Sequence, residues 1–429
     1  MKPAVGILSL GCPRNLADSE SVCGRLFHKG YRITDIHEAE IGIVNTCAFV
    51  NDAKRESIDA ILDLVELKKK GALKRIVVQG CLVQRYADEL KREFPEVDAF
   101  VGRISPGWCG GRELYRLTPE HYAYLKISEG CVSRCSYCVI PSIKGRFTGV
   151  PEKELLERAA RLDASGVKEI NVIAQDLTAY GFDLAGGGVT LSSMLRKLAR
   201  RCRRTRWLRL LYLYPGPEVE KVADLMRREE KFCRYIDLPL QHINARILKK
   251  MGRRCGKDYL RRLVDLVRGR LPGAAIRTTF IVGFPSETDK EFRELADFVK
   301  ETRFERLGVF IYSREEGTPA AAMPEQVPEK IKRSRFDELM SLQQGISAEN
   351  NRAMLGRELD VLVEEEAALP EGRNSPDSAY VYAGRSEYDA PEVDGMVYVK
   401  TRRPVKPGSM VRVRVDGALE YDLTGEALL

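Results

Sequence analysis

A chain of 429 residues is long enough for two or three domains, and its 44% hydrophobic and 31% charged residues are those of an ordinary globular protein. No apolar run approaches the roughly 18 residues of a membrane span, and the short apolar start meets Gly11-Cys12-Pro13-Arg14 with no cleavage-site pattern, so a cytoplasmic protein without a signal segment is expected. Eleven cysteines suit ligand chemistry in a reducing compartment better than a disulfide scaffold, and a net charge of +8 permits an anionic partner without requiring one.

Strand-like runs at 5–10, 41–45, 76–79 and 99–101 alternate with helical stretches at 18–28, 52–70 and 84–94. This alternation predicts an α/β domain over 1–104, a doubly wound parallel sheet with helices packed on it. Residues 105–120 carry prolines and glycines and read as a linker. A second set of strands at 122–127, 170–174, 207–213, 236–240, 276–282 and 307–312, with helices such as 151–164 and 289–301, predicts an incomplete (βα)6 barrel over 121–346. A long helix over 328–351 leaves it. Short strands at 359–364, 379–383, 396–400 and 410–415, with Gly and Pro turns between them, predict a small antiparallel β-barrel over 347–429.

Cys131, Cys135 and Cys138 form a C-x3-C-x2-C run directly behind the first barrel strand, on the edge where barrel enzymes place their chemistry. Three closely spaced thiolates hold three irons of a four-iron cluster and leave the fourth open to a reacting cofactor. The alternative is structural zinc, which wants four ligands, and no histidine or fourth cysteine follows closely behind Cys138.

Cys12, Cys47 and Cys81 are far apart in sequence, yet each follows a predicted strand at once. In a parallel sheet all such ends share one edge. The three cysteines are therefore expected to converge as a second three-thiolate site. Gly11 and Gly80 would let the backbone approach a bulky cluster. The alternative, three small buried hydrophobes, does not explain three placements at one relative position. Cys23, Cys109, Cys202, Cys233 and Cys255 show no such pattern.

The C-x3-C-x2-C run with Tyr137 before its last cysteine resembles the signature of the radical S-adenosylmethionine superfamily. The second cysteine set ahead of it resembles the methylthiotransferase family over essentially the whole chain. That resemblance implies an N-terminal cluster domain, a radical barrel and a C-terminal barrel of the TRAM type. It implies two [4Fe-4S] clusters, one on Cys12, Cys47 and Cys81 and one on Cys131, Cys135 and Cys138. S-adenosylmethionine would serve as radical source and methyl donor, with a sulfur source and an electron donor such as a flavodoxin or ferredoxin. Tyr137, Gln175, Gln241, Arg277 and Gly283 resemble the family's cofactor contacts. Barrel packing is the alternative for Arg277, Thr278 and Thr279, and a plain turn for Gly283. The resemblance further implies that the two open irons face each other across the target carbon, with the N-terminal domain capping the barrel mouth.

One branch of the family modifies adenosine in tRNA and carries Gly-Cys-Gln-Met-Asn around its first cysteine. The other modifies the β-carbon of an aspartate in protein twelve of the small ribosomal subunit and carries Gly-Cys-Pro-Lys-Asn. Gly11-Cys12-Pro13-Arg14-Asn15 resembles the second, as do Asp237-Leu238-Pro239-Leu240-Gln241-His242 and Tyr388-Asp389-Ala390-Pro391-Glu392-Val393-Asp394-Gly395. Arg14 departs from the lysine but keeps its charge. From 347 to 429 there are ten lysines and arginines against sixteen aspartates and glutamates, a net −6 that leaves +14 on the rest of the chain. An acidic barrel repels RNA and attracts a basic ribosomal protein, which disfavours the tRNA reading. The basic segments 201–206 and 249–254 read as solvated helix faces. A non-catalytic iron–sulfur factor that binds the ribosome is the reading of another class. Open coordination argues against it, because structural clusters are closed by four protein ligands. Residues contacting the substrate are not identifiable at this level.

Overall fold

The computed structural model describes residues 2–103, 115–184, 188–369 and 380–428. Cys109 and most of the expected linker lie outside the described residues. In the N-terminal domain β1 (Ala4–Ser9), β2 (Arg32–Thr34), β3 (Ile41–Thr46), β4 (Arg75–Gly80) and β5 (Ala99–Val101) form one parallel sheet in the order β2-β1-β3-β4-β5. Helices α1 (Pro13–His28), α2 (Asn51–Lys69) and α3 (Cys81–Glu93) cover it over a core that includes Val44, Ile61, Leu64, Ile76, Val78 and Leu82. The doubly wound expectation holds, with two differences. Strand β2 was not expected, because three polar-flanked residues at a sheet edge show no alternation. Helix α1 begins at Pro13 rather than near 18: proline suits the first helical turn, while Pro-Arg-Asn reads as a loop in sequence.

The middle domain opens with β6 (Tyr122–Lys126) and a small hairpin, β7 (Ser128–Glu129) with β8 (Thr148–Gly149), enclosing the short helix α4 (Ile140–Lys144). There follow α5 (Glu152–Ala164), β9 (Glu169–Ile173), α6 (Leu191–Arg201), β10 (Trp207–Leu211), α7 (Pro217–Arg228) and β11 (Tyr235–Asp237). The domain continues with α8 (Ala245–Lys250), α9 (Lys257–Arg270), β12 (Ala275–Val282), α10 (Asp289–Thr302), β13 (Arg306–Ile311) and α11 (Glu329–Arg352). The six long strands are parallel, in two ladders β6-β9-β10 and β11-β12-β13. The ladders are joined by backbone hydrogen bonds such as Leu213 N to Asp237 O, 2.9 Å. This is the expected open six-unit barrel. Alternate residues (Leu125, Val172, Leu210, Ile276, Phe280) face the helices and form the main core. The intervening ones (Lys126, Glu169, Asn171, Arg209, Asp237) are buried polar groups that face inward.

The C-terminal domain is a closed barrel in the order β14-β15-β16-β18-β17, built from β14 (Glu358–Glu366), β15 (Tyr380–Ser386), β16 (Val397–Thr401), β17 (Met410–Ala418) and β18 (Leu423–Ala427). Its core includes Val361, Val363, Tyr382, Val399 and Val413. It is not wholly antiparallel: β18 pairs with β16 in parallel. Strand β18 was not expected, because Leu-Thr-Gly-Glu-Ala lacks alternation; its Gly425 is needed where the carbonyl of Arg414 would come within 2.5 Å of a Cβ. Helix α11 runs through the expected domain boundary at 346/347 and joins the two barrels.

The end of β15 and the loop 387–394 reach from the small barrel into the polar interior of the large one. The carboxylate of Glu169, fully buried, pairs with Arg209 and Arg385 at 2.6 Å each. Asp389 pairs with Arg306, Asp394 lies 3.5 Å from Arg277, and Tyr235 donates to Asp394 at 2.6 Å. The charge count at the sequence level treated these acids as surface; Asp389 and Asp394 instead face barrel cations, so less of the −6 reaches solvent than the count implies. Burial opposes ionisation of Glu169, but the two arginines overcome it and hold the carboxyl at about 2, below its ordinary 4.5. Its stabilisation is therefore complete above pH 4.5 and is lost as pH falls towards 2. Glu169→Gln leaves the buried Arg209 guanidinium without a counter-ion and Arg385 with Glu364 alone, at 2.8 Å. It should cost about 3–5 kcal/mol at neutral pH, measured as a lower urea midpoint than wild type.

Candidate active site

Three strand ends build the first half of the site. Cys12 is the N-cap of α1, Cys47 directly follows β3, and Cys81 is the first residue of α3. The register sets Ser9 beside Asn45 and Thr46 beside Gly80, so the three cysteines stand on adjacent strand ends at one sheet edge. Cys12 and Cys47 flank the point where the strand order reverses, the usual ligand crevice of such sheets. Asn15 ties the loops together: its Nδ2 donates to Leu10 O (3.1 Å) and Thr46 O (3.0 Å), while Asn45 Nδ2 donates to Asn15 O (2.8 Å). Ser57 Oγ accepts from Cys47 N and donates to Cys47 O, both at 2.9 Å. At Gly11, with φ +84°, a Cβ would lie 2.8 Å from Cys47 Sγ, so only glycine brings these two loops so close.

The second half is the loop behind β7. Cys131, Cys135 and Cys138 lie on a turn anchored by Ser136, whose N–H donates to Met251 O (2.9 Å) and whose hydroxyl donates to Lys250 O (2.8 Å). Gly252, with φ +71°, ends α8 and lets that helix close on Arg134 O, 3.0 Å from where a Cβ would stand. Backbone N–H groups of Ser133 and Ile140 point at the sulfurs of Cys131 (3.4 Å) and Cys138 (3.5 Å). Arg253 lies over the Tyr214 ring at 4.0 Å, donates to Pro239 O (2.8 Å) and comes within 4.0 Å of Cys135 Sγ. The 249–254 segment is thus not simply a solvated face, as its charge alone suggested: Arg253 packs against the cysteine loop, while Lys249 and Arg254 are exposed.

The two halves meet at the barrel mouth. Arg14 reaches out of its own domain: Nη1 donates to Ala174 O at 2.7 Å, and the guanidinium lies over the Tyr212 ring at 4.5 Å. Asp18 on α1 pairs with Lys126 and, at 3.2 Å, with Lys144; Glu129 pairs with Lys126 and, at 3.3 Å, with Lys144. Gln175 Nε2 donates to Glu129 (3.2 Å). Elsewhere on the rim, Glu315 takes Lys54 (2.9 Å) and Arg85 (3.1 Å) from α2 and α3. The N-terminal domain therefore caps the mouth, as expected. A small pocket remains beside Cys81, between Asn15, Asp18, Asn45, Arg103 and Lys144.

Burial pushes the thiols of Cys81 and Cys138 up to about 12 and raises those of Cys47 and Cys131. At Cys12 burial acts the same way, but Arg14, the Asn15 N–H and Lys144 outweigh it and hold the thiol below its ordinary value. Among the described residues no three His, Cys, Asp or Glu side chains converge on a single metal ion. A cluster needs a wider set, since each thiolate takes a different iron. Half-buried thiols with N–H groups aimed at sulfur, glycine-lined approaches and a Gln175 Oε1 without a partner fit such a group.

Of the expected cofactor contacts, Tyr137 is packed among Ile247, Met251, Phe284 and Tyr312. Gln175 sits behind β9, and Gln241, in a left-handed turn with φ +73°, continues β11. Arg277 faces inward and is paired with Asp237 (3.2 Å) and Asp394. Gly283 is a turn glycine with φ +72°, and its missing Cβ makes room for the stem of Lys332. The sequence reading missed Arg253 and the Asp18–Lys126–Glu129–Lys144 cluster. It recorded only the charge of Arg14.

Three family models match the chain: Uncharacterized protein family UPF0004 at 4–102, Radical SAM superfamily at 125–299 and TRAM domain at 355–428. Ribosomal protein uS12 methylthiotransferase RimO of Geotalea uraniireducens is 45% identical over 99% of this chain and 98% of its own. The RimO of Geobacter sulfurreducens is 45% identical over 100% and 99%, and that of Clostridioides difficile 42% over 99% and 98%. Among solved structures, the radical S-adenosylmethionine methyltransferase TsrM of Kitasatospora setae has a TM-score of 0.54 at 15% identity, covering 75% of this chain and 74% of its own, a likeness of fold. Among the described residues no helix is long and apolar enough to cross a membrane.

Proposed function

Since the chain belongs to the family of ribosomal protein uS12 methylthiotransferases called RimO, we propose that it adds a methylthio group to the β-carbon of an aspartate of uS12, the twelfth protein of the small ribosomal subunit. The observation that carries this reading is the meeting of two three-cysteine sets at one capped barrel mouth, bridged by Arg14. The relatives are named for a protein substrate, which does not favour the tRNA reading or the non-catalytic one.

Cys131, Cys135 and Cys138 would hold one [4Fe-4S] cluster and Cys12, Cys47 and Cys81 a second, each with one iron free of protein ligands. When bound with S-adenosylmethionine, these groups supply what no side-chain acid or base can: removal of a hydrogen atom from an unactivated C–H bond and delivery of a methylthio group to that carbon. The chain's own residues position and shield. Ser133 and Ile140 orient two sulfurs, and Arg253 places positive charge beside the third. Tyr137, Gln175 and Gln241 border the place for S-adenosylmethionine. The N-terminal cap excludes water, and the Asp18–Lys126–Glu129–Lys144 pairs fix one cysteine set against the other. A flavodoxin or ferredoxin would supply electrons and a separate source the sulfur. The reducing cytoplasm suits the free thiols of the ten described cysteines.

Iron and sulfide content tests the two-cluster part. Anaerobically reconstituted enzyme should hold about eight irons per chain, and a Cys12/Cys47/Cys81→Ala triple variant about four. A triple variant that keeps the full complement refutes the second site. Gly11→Ala should reduce iron at that site alone, because its Cβ displaces Cys47; the measure is iron per chain with S-adenosylmethionine cleavage retained.

A further inference from the structure

We propose that the Arg14 guanidinium receives the side-chain carboxylate of the substrate aspartate and thereby sets a preference for an acidic over an amide side chain; this rests on the uS12 reading above. Arg14 stands two residues behind Cys12, yet its side chain ends on the other domain, at Ala174 O and the Tyr212 ring. Those two residues directly follow β9 and β10, on the C-terminal edge of the barrel. The guanidinium therefore lies between the domains that carry the two cysteine sets, where the target carbon has to be presented.

Charge pairing narrows the cations near the cysteines to Arg14 and Arg103, and Arg103 is held on Lys144 O. Lys126 and Lys144 are neutralised by Asp18 and Glu129, and Arg277 by Asp237 and Asp394. Arg253 belongs to the pole of the Cys131 loop. Arg14 has no carboxylate partner among the described residues. Its neighbours are the Ala174 carbonyl, the Cys12 thiol and the Tyr212 side chain. A guanidinium offers five N–H donors in a rigid fork that matches a carboxylate. A half-buried cation with no carboxylate partner has donors free for an incoming one. The backbone beneath the stacked ring is itself fixed, with Tyr212 at φ +74° and its N–H on Asp237 (2.9 Å). Held by this fork, an aspartate has its β-carbon one bond from the anchored carboxyl carbon, at the mouth.

The test compares two peptides, the uS12 segment with its target aspartate and the same segment with asparagine there, binding to reconstituted enzyme by fluorescence anisotropy. Wild type should prefer the aspartate peptide by about 10- to 100-fold, the range for a hydrogen bond to a charged group. Arg14→Gln should bring the ratio near one, and Arg14→Lys should keep most of it. Because the ratio is taken within one preparation, incomplete loading of a variant cancels. A wild-type preference that survives in Arg14→Gln overturns the inference and leaves the uS12 reading intact. Wild-type enzyme that binds neither peptide while modifying another molecule removes the uS12 reading and this inference with it.

Discussion

Replacing Cys135 by alanine should bring 5′-deoxyadenosine formation down to background, a loss of more than about 10³-fold set against the rate enhancements typical of enzymes. Scaffolding bonds around Cys135 are made by the backbone and by Ser136: Ser136 N to Met251 O, Ala320 N to Ser136 O (2.8 Å) and Cys138 N to Cys135 O (3.1 Å). Removing one Sγ leaves all of them in place, so the loop should survive. What disappears is one of three iron ligands, together with the sulfur that faces Arg253 at 4.0 Å. High-performance liquid chromatography of reductive S-adenosylmethionine cleavage is the measure. Cleavage at the wild-type rate would refute the ligand role. Partial cleavage with a normal iron count would mean that another group had taken the place of Cys135.

Cys47→Ala should separate the two halves of the reaction: S-adenosylmethionine cleavage stays partly intact, and methylthio transfer stops. Both backbone groups of Cys47 are held by Ser57, so the variant keeps the loop and loses the sulfur. The Cys131 loop lies in the other domain, and the backbone of Cys47 is bonded to Ser57 rather than to that loop, which is why cleavage is expected to continue. Mass spectrometry of the acceptor beside the cleavage assay reads both halves. Transfer that persists in Cys47→Ala removes the second cysteine set from the role of sulfur donor.

Much of this site was legible in the sequence because its geometry is a property of strand ends. A cysteine placed at once behind each of three parallel strands has to arrive at one edge, whatever the helices between them do. The six barrel strands were legible for a similar reason, their apolar runs being long enough to show. What was hidden depends on pairing across long separations. Asp18 and Lys144 meet from 126 positions apart, and nothing in either local sequence marks a partner. Residues 388–395 carry a family resemblance in sequence, and their acids count there as surface charge; only the fold reveals that Asp389 and Asp394 face arginines of the large barrel. Arg253 was read as solvated because its neighbours Lys249 and Arg254 are, whereas the turn at Gly252 carries it inward. Helix α1 hid its start because Pro13 and Asn15, loop formers elsewhere, here serve as a first-turn proline and a clamp across three loops.

The most direct measurement incubates reconstituted enzyme anaerobically with reductant, sulfide and S-adenosylmethionine, offering uS12 and unmodified tRNA in parallel, and looks for the mass of a methylthio group. The account predicts the gain on an aspartate of uS12 and none on tRNA. A gain on adenosine alone would contradict the substrate while leaving a two-cluster mechanism standing, and no gain on either, with S-adenosylmethionine cleaved, would contradict the transfer itself.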